Sequence, residues 1–219
     1  MSKSIIMKLS WLKNPRAASP SFFDLPKELP GFEGRFFYRR ADKEWPLWIP
    51  IPSGPIHYLE IGAADGGNAI LISKSYAHHP DSKLYCVDPW ADYDDYPEYK
   101  GRQGVAWDTF NRNVEKFADP SKFVIHRGFS DEIVPTFPNE FFDLIFVDGN
   151  HETEYVYRDG MMSLDKVKIG GHIVFDDYNK YWPQTVAGVD KFLLDAGERI
   201  ERLPDMSRFV GQYIIKRTS

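Results

Sequence analysis

The chain has 219 residues, 42% of them hydrophobic and 27% charged, with a formal net charge of -5. That length and composition suit one globular domain with a sizeable core, and the acidic balance argues against a generic nucleic-acid or anionic-membrane binder. No apolar run is long enough to span a bilayer, the lone Cys86 cannot close an internal disulfide, and the opening MSKSIIMKLSWLKNPR has no signal-peptide apolar stretch, so a cytoplasmic protein is expected.

Residues 1–55 are rich in Pro, aromatic and basic residues, as in FFYRRADKEWPLWIPIPSGP, and poor in periodicity. They read as an irregular or partly helical cap on the substrate side of a main domain over residues 56–219. From His57 onward the pattern is regular. Short apolar runs, HYLEIG, KLYCVD, KFVIHRG, FDLIFVDG and GHIVFDD, alternate with the helix-like GNAILISKSYA, WDTFNRNVEKFA, DEIVPTF and ETEYVYRDGMMSLDKV. Nearly continuous apolar strands between helices predict a parallel sheet covered on both faces. The end differs: TVAGVDKFLLDAG is helix-like, and RIERL and RFVGQYIIK are strands close enough to pair antiparallel. The expectation is an α/β fold, a doubly wound, mostly parallel sheet of seven strands with an antiparallel C-terminal strand.

Ligands of such sheets bind beyond the carboxyl ends of the strands. The first strand ends in LEIGAADGGNA, a Gly-rich turn opening a helix, which suits either close backbone approach to a ligand or a purely structural turn. Ala64 stands where a dinucleotide fingerprint has its second glycine, which counts against a nicotinamide cofactor. Asp88 ends the second strand and can accept from ribose hydroxyls or form a turn before Pro89. Ser130 and Asp131 follow the third strand, where they can cap the next helix. The fourth ends in VDGNH with Asp148 and His151, and the fifth in HIVFDDYN with Asp176 and Asp177. With the last two strands adjacent, Asp148, Asp176 and Asp177 converge, and three clustered carboxylates call for a cation. Oxygen ligation suits Mg²⁺, with Ca²⁺ or Mn²⁺ as substitutes. The long DPWADYDDYPEYKGRQGVAW segment, with Trp90, Tyr93, Tyr96 and Tyr99, reads as a lid over the site or as a surface loop packed on the domain.

The run from His57 to about Tyr178 resembles the class I S-adenosylmethionine-dependent methyltransferases, specifically the metal-dependent O-methyltransferases. HRGFSDEIVPTF followed by FDLIFVDGNH is similar to catechol O-methyltransferase, and GGHIVFDDY to the macrocin-type enzymes acting on sugars of natural products. The resemblance implies that Glu60, Gly62 and Ala63 shape the pocket for the methionine part of S-adenosylmethionine. Asn68 stands where the catechol enzyme has a hydroxyl residue near the methionine carboxylate. Asp88 is implied to hold the ribose, Ser130 to lie beside adenine, Asp148 to border the cofactor, and Asp148, Asp176 and Asp177 to bind the metal.

The function expected is methyl transfer to a hydroxyl of a small molecule, with a divalent metal lowering the pKa of that hydroxyl and Asp148 or His151 as base. The expected partners are a small-molecule acceptor and no nucleic acid or membrane, with homo-oligomerisation left open. The alternatives are an NAD(P)-dependent oxidoreductase of Rossmann type and a non-catalytic metal- or nucleotide-binding module.

Overall fold

A computed structural model of the chain describes residues 28–34, 45–92, 101, 103–203 and 211–219. Strand and helix alternate through β1 (His57–Ile61), α1 (Gly67–Lys74), β2 (Lys83–Asp88), α2 (Gln103–Phe117), β3 (Phe123–Arg127) and α3 (Ser130–Ile133). They continue through β4 (Phe142–Val147), α4 (Thr153–Lys166), β5 (Val167–Phe175), α5 (Pro183–Ala196), β6 (Ile200–Arg202) and β7 (Tyr213–Arg217).

The seven strands form one sheet in the order β3-β2-β1-β4-β5-β7-β6. Strands β1 to β5 run parallel, and β7 is antiparallel to both neighbours, β5 and β6. The expected fold class is therefore the observed one. Strand order reverses between β1 and β4, which opens a crevice at the carboxyl ends of those two strands. The expected C-terminal pair forms, although β6 and β7 are separated by more than a turn, and Arg208, Phe209 and Val210 of the expected strand lie outside the described residues.

Alternation along each strand feeds two cores. One face presents Tyr58, Leu84, Leu144, Phe146, Val174 and Ile214 to Ile72 of α1, to Tyr76, and to Trp45, Ile49 and Ile56. The other presents Leu59, Ile61, Ile145, Ile173, Phe175 and Ile215 to Val156 and Leu164 of α4 and to Val189, Phe192 and Leu193 of α5. Gly160 lets α4 seat deeply, because a Cβ there would meet Phe192 at 2.9 Å and Phe175 at 3.0 Å. In contrast, α1 is buried at every position from Gly67 to Ser73, as its apolar GNAILIS requires.

Of the cap expected over residues 1–55, residues 1–27 and 35–44 lie outside the described residues. Trp45, wholly buried, begins a short 3-10 turn and packs on Phe146 and Tyr76, so the chain from Trp45 onward shares the sheet's core. Residues 28–34 lie along α2, where Leu29 and Phe32 join Phe110 and Val114.

Candidate active site

Gly62 follows β1 with φ +87°, and a Cβ there would come within 2.0 Å of the Asp148 carbonyl oxygen. The missing side chain lets the tips of β1 and β4 touch at the crevice. Ala64 keeps the left-handed conformation of a glycine, φ +42°, which an L-residue resists. Two contacts hold it: its N–H donates to Asp88 Oδ2 at 2.9 Å, and its carbonyl accepts from Trp90 Nε1 at 2.8 Å. Asp88 Oδ1 accepts from the Trp90 N–H at 2.7 Å, so one carboxylate joins the loops after β1 and β2. Burial pushes the Asp88 carboxyl up, while the N–H groups of Ala64, Trp90 and Ala63 pull it back. Each oxygen retains acceptor capacity for a ligand hydroxyl.

Glu60, 1% exposed, is organised by its own strand and by α1. Its Oε2 accepts from Tyr58 Oη at 2.6 Å and from Asn68 Nδ2 at 3.0 Å, and Asn68 Nδ2 also donates to Tyr58 Oη at 2.9 Å. With both amide hydrogens directed at these oxygens, Asn68 Oδ1 is buried with no partner among the described residues. That acceptor can take a hydrogen bond from a donor such as an ammonium group, whereas a carboxylate brings no donor.

Ser130 opens α3, but its side chain does not cap the helix. Its hydroxyl donates to Asp159 Oδ1 of α4 at 2.6 Å, while Asp131 pairs with Arg158 at 2.8 Å. The capping expected of Ser130 and Asp131 is thus replaced by links between α3 and α4. Asp159 is 2% exposed, and burial pushes its carboxyl up to about 6, against the lowering effect of Ser130 and Arg158.

Asp148, His151 and Asp177 each offer a ligand atom within 4.8 Å of the others. His151 Nε2 lies 2.9 Å from Asp177 Oδ2 and 3.8 Å from Asp148 Oδ1, and its ring stacks on Trp182 at 4.3 Å. Asp177 has φ +53°, a conformation asparagine and aspartate tolerate better than most residues, and that backbone turn separates it from its neighbour. Asp176 does not join the cluster. It is 4% exposed, and its Oδ1 accepts from Gln212 Nε2 at 2.9 Å. The expected trio of Asp148, Asp176 and Asp177 is therefore corrected to Asp148, His151 and Asp177, because consecutive residues at a strand end face opposite sides and Asp176 points away from the cluster.

One cavity of about 1080 Å³ lies over the crevice and is lined by Glu60, Gly62, Ala63, Asn68, Asp88, Ser130, Asp148, His151 and Asp177. Sequence reasoning missed Asp159, Trp182 and Glu33, which also line it. Asp159 carried a usable signal, an acid on the apolar side of a helix; Trp182 and Glu33 are brought in by tertiary packing alone. Trp90 is not a lid residue: it is fully buried against Phe110 and Trp107. Tyr93, Tyr96 and Tyr99 of the expected lid lie outside the described residues.

The sequence model of the methyltransferase-domain family matches residues 59–178. An uncharacterized protein of Acanthamoeba polyphaga mimivirus is 32% identical over 146 residues, covering 63% of this chain and 59% of that protein. The chain thus spans less than two thirds of that relative's length. Among solved structures, the O-methyltransferase from Bacillus cereus in complex with SAH aligns with TM-score 0.55 at 16% identity, covering 74% of each chain. The O-methyltransferase NovP aligns with TM-score 0.53 at 20% identity, covering 76% of this chain and 73% of that one. At these identities the likenesses establish the fold. The family match sets the nicotinamide reading aside, and the chain belongs to the methyltransferase-domain family, the S-adenosylmethionine-dependent methyltransferases of Rossmann-like fold.

Proposed function

We propose that the protein transfers the methyl group of S-adenosylmethionine to a hydroxyl of a small molecule, of sugar or natural-product type, with the help of a divalent cation. The observation that carries this reading is the convergence of Asp148, His151 and Asp177 within 4.8 Å at the wall of the cavity that Glu60, Asn68, Asp88 and Ser130 also line. Two structural neighbours are O-methyltransferases, which supports the oxygen acceptor.

The donor set fits the cation. Two carboxylates and one imidazole, partly buried, form a charge-compensating site for Mg²⁺, and the imidazole makes Mn²⁺ equally suitable. Asp148, His151 and Asp177 would hold it, and when bound it would lower the pKa of a coordinated hydroxyl. The residues supply the rest. Glu60 and the Asn68 oxygen hold the ammonium of the cofactor's methionine end, Asp88 accepts from its ribose, and Ser130 with Asp159 borders its adenine end. Asp148 takes the acceptor's proton, with His151 the second base, as displacement at the methyl carbon needs an oxygen nucleophile in line with the leaving sulfur.

The test is methyl transfer from labelled S-adenosylmethionine across a panel of sugars and phenols, with and without chelator. Asp177→Asn keeps the shape and removes the charge. It should lower kcat on the order of 10²-fold or more while cofactor affinity changes by less than about threefold, since the cofactor's contacts come from other strands. Chelation of the wild type should give the same loss, restored by Mg²⁺ or Mn²⁺. Full activity in chelator would move the chemistry to Asp148 and His151 as a metal-free base pair.

A further inference from the structure

The unused half of the acidic pair explains what the N-terminal and C-terminal segments do for the site. In the antiparallel ladder Phe175 lies opposite Tyr213, so the next pair outward is Asp176 opposite Gln212, on the face that carries Val174 and Ile214. Side chains of such a pair meet. Gln212 Nε2 donates to Asp176 Oδ1 at 2.9 Å, and Trp45 Nε1 donates to Gln212 Oε1 at 2.8 Å. All three residues are at most 4% exposed. A hydrogen-bonded chain in that setting has no water to replace a lost partner, so it holds its geometry stiffly.

Two neighbours of Gln212 brace the same loop. Gly211, at φ +68°, lies so close that a Cβ would meet the Asn179 side chain at 3.0 Å, and Tyr213 packs against Tyr178 with ring centroids 4.9 Å apart. The loop itself is tightly turned: the Asn179 N–H donates to the Asp177 carbonyl, and the Trp182 N–H to the Asn179 carbonyl. It carries two of the residues that contact His151, Asp177 through its carboxylate and Trp182 through its ring.

We infer that Gln212, held by Trp45, is a positioning residue that fixes the 176–182 loop and thereby the placement of Asp177 and His151 for the cation and the acceptor. This rests on the functional reading above for its consequence, but the bracing itself does not depend on it. Gln212, held by Trp45, reaches the reacting cluster through Asp176, which makes Asp176 an anchor for the loop.

The full chain, its Gln212→Met variant and its Trp45→Phe variant decide the matter in three measurements. Gln212→Met removes both hydrogen bonds at similar volume; Trp45→Phe removes only the distal one. Hydrogen exchange without ligand should quicken about tenfold or more at Asn179 and Trp182 in Gln212→Met, with the strands unchanged. Mn²⁺ alone, followed by electron paramagnetic resonance, should bind about tenfold more weakly, while calorimetric affinity for S-adenosylmethionine stays within about threefold. Trp45→Phe should show the same pattern at smaller amplitude, and it decides alone if Gln212→Met does not fold. Wild-type exchange in the loop overturns the inference, as does an equal loss of Mn²⁺ and cofactor affinity, which would mark general loosening. If the wild type binds no Mn²⁺, the cation reading falls, and the exchange measurement still decides the brace.

Discussion

At Asp159 residue chemistry and surroundings disagree most. Its carboxyl is pushed up from 3.8 to about 6 by burial, so the folded chain binds that proton more tightly than the unfolded chain. Native stability therefore gains as pH falls from about 6 to about 4, and the cost of the buried charge, on the order of 3 kcal/mol at most, is fully present above that range. His172 works in the opposite direction: burial, and secondarily Lys216, lower it from 6.5 to about 4, so stability is lost as pH falls through that window. Asp159→Asn keeps an acceptor for Ser130 and removes the charge. It should raise Tm at pH 7.5 by roughly 5 °C and leave a stability curve that falls steadily on acidification from pH 6.5; a lower Tm at pH 7.5 would contradict this. Ala64→Gly should relieve the left-handed strain of about 1–2 kcal/mol against the entropy glycine adds to the unfolded chain, a net gain of about 0.5 kcal/mol by urea denaturation. Trp90→Ala should cost about 3–5 kcal/mol of stability, as truncation of a buried aromatic does, rather than act chiefly on an acceptor's KM.

The elements were legible where one periodicity ruled. HYLEIG, KLYCVD and FDLIFVDG are apolar because both faces of the sheet are covered, and each forms the strand expected. The helix opening the site was legible from GNAILIS, buried all round. What the local pattern could not carry was the direction of side chains beyond the strand ends. The tandem acids of FDDY promised two ligands, yet Asp176 turns to Gln212, a residue 36 positions away whose place depends on β7 entering between β5 and β6. Ser130 likewise read as a helix cap because its partner, Asp159, comes from another helix. The close approach of β1 and β4 predicts a specific failure at this scale. Gly62→Ala would set a Cβ 2.0 Å from the Asp148 carbonyl oxygen and impose φ +87° on an L-residue. It should destabilise the fold by about 2–4 kcal/mol and abolish cofactor binding in whatever fraction stays folded; wild-type Tm in this variant would contradict the packing described.

For the whole molecule, strand order places function. The reversal between β1 and β4 gathers the ends of β1, β2, β4 and β5 around one cavity, which is why residues from Glu60 to Asp177 share a wall. That placement was legible from strand–helix alternation alone. The contribution of the N-terminal segment was not, because Trp45 and Glu33 reach the core and the cavity through contacts with residues 212 and 112. Among the described residues no helix is long and apolar enough to cross a membrane. The central claim is that this cavity takes S-adenosylmethionine, with Asp88 reading its ribose. Isothermal titration calorimetry of the wild type and Asp88→Ala against S-adenosylmethionine and NAD tests it without knowledge of the acceptor. The account predicts one site for S-adenosylmethionine, weakened at least about tenfold in Asp88→Ala by loss of charge-assisted hydrogen bonds, and no binding of NAD. Binding of NAD with none of S-adenosylmethionine would contradict it.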